Sequence, residues 1–195
     1  MPIMSGGPAR FFLKAVLSLE FPVVRQETEN VKPSIRGAIS SDLPDMMALE
    51  KHATTAAHWS ARQYESLFNA LSAGRIALVI REKAQQEKTE PGRPEQAEQR
   101  VQGFVIGRAV GAEWEIENIA IADQARRRGL GTRLLGEFLD LAKARGAHSV
   151  FLEVRETNHP ARALYEKWSF TAGGRRKKYY RDPEEDAIVY RLILA

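Results

Sequence analysis

Residues 119–144, IAIADQARRRGLGTRLLGEFLDLAKA, constrain the fold more than any other stretch. Ile119, Ala120 and Ile121 read as the apolar end of a buried strand, and Asp123 and Gln124 start a polar loop. Arg126-Arg127-Arg128-Gly129-Leu130-Gly131-Thr132 is a basic turn containing two glycines. Beyond it Leu130, Leu134, Leu135, Phe138, Leu139 and Ala142 recur at helical spacing on one face. Gly146, after Lys143 and Arg145, marks the helix stop. A strand feeding a long amphipathic helix and then another strand needs a crossover, so the chain is expected to carry a parallel step at its centre.

The turn has the chemistry of a phosphate site. The first N–H groups of a helix lack partners within it, and the dipole there favours an anion. Gly129 and Gly131 have no Cβ, so a ligand can approach the main chain. Three arginines add fork-shaped donors. The plainer alternative is a solvated basic helix start. GxxxxGK(S/T) is absent, and Gly129, Gly131 and Gly136 do not make GxGxxG, so the two commonest nucleotide loops are excluded.

A chain of 195 residues can bury one sizeable core, and 44% apolar with 28% charged residues is ordinary for a globular protein. The net charge of +4 is a mild basic excess, compatible with a phosphate-bearing ligand or an RNA-rich partner. With no cysteine, disulfides, a thiol nucleophile and thiolate zinc sites are excluded. His52, His58, His148 and His159 show no HExxH or paired spacing, so no metal is expected.

Residues 1–33 read as a poorly ordered N-terminal extension. Their apolar part, Phe11 to Val24, is interrupted by Lys14 and Glu20 and is too short to span a membrane. Residues 34–195 read as one domain. Ser34 to Ile39 is a first strand, and Ser40-Ser41-Asp42 with Pro44 is a helix cap. A second helix is expected over about 60–72, with Tyr64, Leu67, Phe68 and Leu71 on one face and Trp59 just ahead as a packing anchor or a substrate wall. Ile76 to Ile80 hardly alternates and is expected to be covered on both faces. Residues 82–100 hold five acidic, four basic and four Gln residues and no aliphatic larger than Ala, so they are expected to form a loop insertion with no core. Strands follow at 101–110, 113–121, 148–154, from Phe170, and at 187–194, with a helix over 158–167. The expected order is β-α-α-β-β-β-α-β-α-β-β: an α/β (α+β) domain, with a mixed sheet of about seven strands and about four helices.

The second informative stretch is Leu152 to Phe170, LEVRETNHPARALYEKWSF. Glu153 interrupts a mostly apolar strand. It is either solvated or salt-bridged, or a general base in a cleft. Asn158, at a helix entry, is a cap or a ligand donor. Tyr165 is a core tyrosine or a proton donor.

These residues carry a resemblance. Arg126, Gly129 and Gly131 resemble motif A of the GNAT acetyltransferases, and LEVRETNxxARALYEKWSF looks like the second half of such a domain. Asn118 to Ile121 is similar to the strand end beside acetyl-coenzyme A in that family. The tail RRKKYYRDPEEDAIVYRLIL and the element His58-Trp59-Ser60 resemble the RimI-type ribosomal-protein-alanine N-acetyltransferases. The resemblance covers about residues 34–194. It implies that the backbone of Ile119, Ala120 and Ile121 pairs with the pantetheine arm. It also implies that Arg126, Arg127, Arg128, Gly129, Leu130, Gly131 and Thr132 cradle the pyrophosphate and that Asn158 bonds the cofactor. Glu153 matches the family's proton acceptor and Tyr165 its proton donor. Acetyl-coenzyme A is the implied co-substrate, with no metal, and the implied reaction is direct attack by an α-amine near pKa ~8. The implied acceptor is the N-terminal alanine of a ribosomal protein, with no DNA or membrane partner, in the cytoplasm near the ribosome, as a monomer or weak dimer. The rivals are an acetyltransferase for a lysine or a small amine, and a non-catalytic RNA- or ribosome-associated module. Trp168-Ser169-Phe170 departs from the family's usual Leu-Gly-Phe, which puts packing in question there rather than chemistry.

Overall fold

The computed structural model describes residues 33–53, 57–69, 74–83 and 99–194. The expected extension, apart from Pro33, and residues 84–98 of the expected insertion lie outside the described residues. In chain order the elements are β1 (Ser34–Gly37), α1 (Leu43–His52), α2 (Ala61–Glu65), β2 (Arg75–Lys83), β3 (Gln99–Val110) and β4 (Glu113–Ile121), then α3 (Leu130–Ala144), β5 (Ser149–Arg155), α4 (His159–Lys167), β6 (Thr171–Arg181) and β7 (Glu184–Ile193). This is the order read from the sequence. The strands form a seven-stranded sheet, β1-β2-β3-β4-β5-β7-β6. Among them only β4 and β5 run parallel, joined across α3.

Side-chain alternation divides the core between the two faces of the sheet. On β2, Ile76, Leu78 and Ile80 pack with α3 and α4, whereas Ala77 and Val79 pack with α1 and α2. Helices on both faces are why IALVI shows no polar alternation. On β4 the alternation changes phase. Trp114 and Ile116 face α3, but after Glu117 it is Ile119 and Ile121 that do so, while Ala120 turns to α1. The cause is a β-bulge: Gly107 pairs with Ile116 and Ile106 with Asn118, leaving Glu117 without a partner on β3.

Helix α3 buries Leu130, Leu134, Leu135, Phe138, Leu139 and Ala142, the six residues expected. Gly146 has φ +83, its N–H bonds the Lys143 carbonyl and the Ala147 N–H bonds that of Ala142, which is a Schellman stop. Phe138 lies across β3 at Gly107, where a Cβ would come within 2.4 Å of the ring. The Trp168-Ser169-Phe170 departure has a packing reason. Trp168 sits against Gly136 of α3, where a Cβ would meet it at 2.9 Å, and Ser169 takes the left-handed φ of +63.

Three expectations need correction. The second helix is shorter than 60–72: α2 ends at Glu65 and a 3₁₀ turn, Ser66–Phe68, follows it. The tighter turn buries Leu67 but leaves Phe68 39% exposed, and Leu71 lies outside the described residues. Asp42 does not cap α1 with its side chain. Its carboxylate accepts from the Ile39 N–H at 2.9 Å and from Arg36 at 2.7 and 2.8 Å. The insertion is narrower than 82–100, because Glu82 pairs with Arg100 and Lys83 with Gln99 in the β2–β3 ladder.

Candidate active site

β4 and β5 pair from Glu113–Ser149 to Ile116–Leu152 and no further. Beyond that point β4 follows β3 as far as Ile121, and β5 follows β7 as far as Arg155. The sheet therefore opens at its centre, and the β4 edge from Glu117 to Ile121 has no strand facing it on the β5 side. A cleft of about 1140 Å³ occupies the opening. That exceeds the ~300–1,000 Å³ usual for one small ligand, so it has room for two reactants.

Ile119, Ala120, Ile121, Arg126, Arg127, Gly129, Leu130, Gly131, Thr132, Glu153, Asn158 and Tyr165 all line this cleft. Gly129 caps α3 with φ +77, and nothing lies within 4 Å of where its Cβ would be. A Cβ on Gly131 would fill the space beside Leu164 and Ile121, at 3.5 and 3.6 Å. The main chain at the helix entry is thus open to a phosphate group.

The three arginines do not act together. Arg126 turns back to Asp123 at 2.8 Å and to the Ile121 carbonyl at 3.2 Å. Arg128 is held by Glu82 at 2.9 Å and does not line the cleft. Arg127, at φ +61, is the arginine of the turn whose guanidinium is not drawn into an ion pair among the described residues. Asn158 accepts from the Ala161 N–H at 3.2 Å and so caps α4, which leaves its amide N–H group for the cleft it lines.

Glu153 and Tyr165 come from opposite faces of the sheet. Leu152 and Val154 pack toward α3 and α4, so Glu153 between them points to the α1 and α2 face. Tyr165 belongs to the α3 and α4 core and packs on Phe170 and Tyr190, with ring centroids 5.8 and 6.0 Å away. They share one cleft because the strands part between them. The Glu153 side chain is 10% exposed, and Arg176 of β6 pairs with its Oε1 at 2.8 Å. Tyr179 stands beside Glu153, and the influence of that carboxylate together with burial pushes the phenol up to about 12. Burial raises the Tyr165 pKa well above the ordinary phenol value, with the neighbouring Tyr180 adding to it, so Tyr165 keeps its proton at neutral pH.

Four further cleft residues were not singled out as site residues from the sequence: Trp59, Asn118, Tyr179 and Tyr180. Arg155 brings the tyrosines in. It is 4% exposed, stacks on Tyr180 at 4.2 Å, and bonds Glu185 and the carbonyls of Asp182 and Pro183 in the β6–β7 turn. Asn118 had a signal, as an amide inside an apolar strand. The basic run that ends β6 is mostly used internally: Arg175 pairs with Glu156 and Asp186, Arg176 with Glu153, and Lys178 with Glu184. No group of three or more acidic or His residues that could hold a metal occurs among the described residues. None of the described helices is long and apolar enough to cross a membrane.

An acetyltransferase (GNAT) family model matches residues 49–170, which run from within α1 to just past α4 and include every residue lining the cleft except Tyr179 and Tyr180. The chain belongs to the GNAT acetyltransferase family. Among curated relatives, it is 39% identical over 101 residues to the ribosomal protein bS18-alanine N-acetyltransferase of Salmonella typhimurium, covering 51% of this chain and 68% of that protein. It is 44% identical over 75 residues to a Bacillus subtilis protein named as a bS18-alanine N-acetyltransferase, covering 38% of this chain but only 50% of that protein. Among solved structures, the Escherichia coli ribosomal-protein-S18-alanine N-acetyltransferase superposes with a TM-score of 0.65 at 28% identity, over 84% of this chain and 94% of that one.

Proposed function

We propose that this GNAT domain transfers the acetyl group of acetyl-coenzyme A to the N-terminal α-amine of a protein, and that the acceptor is the alanine of a bS18-type ribosomal protein. The observation that carries the reading is the opening between β4 and β5, with Glu153 on one face of the sheet, Tyr165 on the other and the α3 entry at its mouth. Two reactants can meet through the sheet there, each approaching from its own face. The relatives named for bS18-alanine acetylation support the choice of acceptor.

On this reading acetyl-coenzyme A supplies an acetyl group already activated as a thioester. The free N–H groups at the start of α3 and the Arg127 guanidinium hold its pyrophosphate, with Gly129 and Gly131 leaving room. The unpaired β4 edge at Ile119–Ile121 offers main-chain groups to the pantetheine arm. Asn158 gives its amide. On the acceptor side, Glu153 takes the proton that the α-ammonium loses before attack. Because that amine has a pKa near ~8, a carboxylate in contact with it suffices. Arg176 occupies Glu153 in this structure and yields its place to the incoming cation. Tyr165, protonated at neutral pH, gives its proton to the departing sulfur, and the second proton that the nitrogen sheds as the amide forms returns to the phenolate. Neither step needs a covalent enzyme intermediate. The enzyme works in the cytoplasm, and the domain proper starts near Ser34.

The test is mass spectrometry of an Ala-starting bS18 peptide incubated with the protein and acetyl-coenzyme A, beside the same peptide with a blocked N-terminus. One acetyl added to the free peptide alone is the expected result. Coenzyme binding without peptide acetylation would move the acceptor to another amine, and no coenzyme binding would end the reading.

A further inference from the structure

The acceptor side of the cleft is held from behind by a charge that packing does not explain. Glu50 of α1 is 3% exposed, and among the described residues no Lys, Arg or His forms an ion pair with it. Two donors face its carboxylate instead. The Trp59 main-chain N–H lies 3.1 Å from Oε1 and 3.0 Å from Oε2, and Asn118 Nδ2 lies 2.6 Å from Oε1. Both donors belong to residues that line the cleft. Trp59 stands just ahead of α2. Asn118 follows the bulged Glu117, where β4 starts to leave β5.

Buried polar groups crowd this spot. Tyr64 is fully buried, its ring lies 5.6 Å from that of Trp59, and burial together with the charge of Glu50 keeps its phenol protonated. The Tyr64 hydroxyl and Asn118 Oδ1 have no hydrogen bond of ordinary geometry. A buried carboxylate persists only where fixed donors meet it, and charge-assisted bonds hold those donors in turn. An apolar residue at position 50 would fill the same space and leave two N–H groups unpaired. What the charge adds is a tie, through one atom group, between the Trp59 wall and the strand opening.

We propose that Glu50 is a positioning residue for the acceptor: by bonding the Trp59 N–H and the Asn118 amide, it fixes the wall against which the acceptor peptide is aligned beside Glu153. This rests on the proposed function only for the identity of the acceptor. The wall is preformed, so the peptide does not have to order it on binding.

The experiment compares Glu50→Leu and Glu50→Gln with the full-length protein. It reads Trp59 amide hydrogen exchange, the peptide KM and kcat, and acetyl-coenzyme A affinity by calorimetry. In Glu50→Leu the Trp59 amide exchanges about tenfold faster or more, and the peptide KM rises by a similar factor. Coenzyme affinity and kcat stay within about threefold. Glu50→Gln keeps an acceptor oxygen for Trp59 and recovers most of both effects. Unchanged Trp59 exchange in Glu50→Leu overturns the proposal. So does faster exchange with an unchanged peptide KM, or coenzyme affinity falling in step with KM. If Glu50→Leu does not fold, Asn118→Ala removes one donor, leaves Glu50 in place, and carries the same expectations at smaller amplitude. A wild-type protein that acetylates no Ala-starting peptide defeats the proposed function separately, and Trp59 exchange then decides the role of Glu50 alone.

Discussion

The two faces of the sheet are built by different means. On the α3 and α4 face the core is apolar and continuous, from Ile76 and Trp114 through Phe138 to Tyr165 and Tyr190. Its helix starts on Gly129 and stops on Gly146, both local signals. On the α1 and α2 face the apolar cluster is smaller, and buried Asp42, Glu50 and Asn118 lie on that side. Asp42 is met locally by Arg36 and the Ile39 N–H, but Glu50 and Asn118 bond each other across 68 residues of sequence. The α3 and α4 face therefore depends on shape and an open main chain, which short motifs encode. The α1 and α2 face depends on placed polar groups, and its geometry is only as good as the contacts that hold them.

The comparison can be broken at its chemical centre first. Glu153→Gln should lower kcat by about 10²–10⁴-fold, the range for losing a general base, and leave acetyl-coenzyme A affinity unchanged. Steady-state kinetics with calorimetry checks both halves, and an unaltered rate removes Glu153 from the mechanism. On the apolar face Gly107→Ala puts a Cβ 2.4 Å from Phe138 and 2.6 Å from the Glu115 carbonyl. Overpacking of this kind costs about 1–3 kcal/mol. Thermal unfolding should show that loss, with Gly37→Ala, which meets nothing within 4 Å, as the control. Equal melting temperatures would mean that this face yields more easily than its packing indicates.

The polar face has its own signature in pH. Burial by itself raises the Asp42 pKa, but the bonds from Arg36 and the Ile39 N–H outweigh it and hold the carboxyl below its ordinary value. A depressed folded pKa means stability that is fully present above the unfolded value, about 3.9, and is lost as pH falls through the lower folded value. Asp42→Asn should thus be less stable than wild type by about 1–3 kcal/mol at neutral pH. The difference should shrink on acidification below about pH 3.9, as followed by denaturant titrations. A constant difference through acid would show that the charge is not what stabilises the turn. The smallest effect belongs to the apolar face again. Ser169 sits at φ +63, and a non-glycine residue pays about 1 kcal/mol there. Ser169→Gly should recover part of that, the rest being offset by the freer unfolded chain, and raise the melting temperature by about one or two degrees. An unchanged or lower melting temperature would mean that Ser169 makes up the difference some other way.

How far the site could be read from sequence follows the same division. The α3 turn, its six buried residues and its glycine stop were legible because each signal lies within a few residues of the feature it makes. Glu153 and Tyr165 stood out as an acid in an apolar strand and a tyrosine on the next helix. The partners of the turn arginines were not legible. Glu82, which takes Arg128, is 46 residues away on β2, and its pairing needs the sheet order first. The shortened second helix was missed for a local reason, since a 3₁₀ turn and an α-helix share apolar spacing over so few residues.

The sequence by itself determined the α/β order of elements, the crossover around α3, the glycine-bounded helix entry and the family to which the chain belongs. Hydrophobic period, caps and glycine φ act over one or two turns of chain, so they survive without any knowledge of the fold. Only the tertiary structure decided that β4 and β5 separate after Ile116 and Leu152, and that Glu117 bulges. It alone brought Glu153 and Tyr165 into one cleft from opposite faces. Those facts depend on which strand lies beside which and in what register. A one-residue bulge reverses the face of every residue after it, at no cost to the local pattern from which it would have to be read.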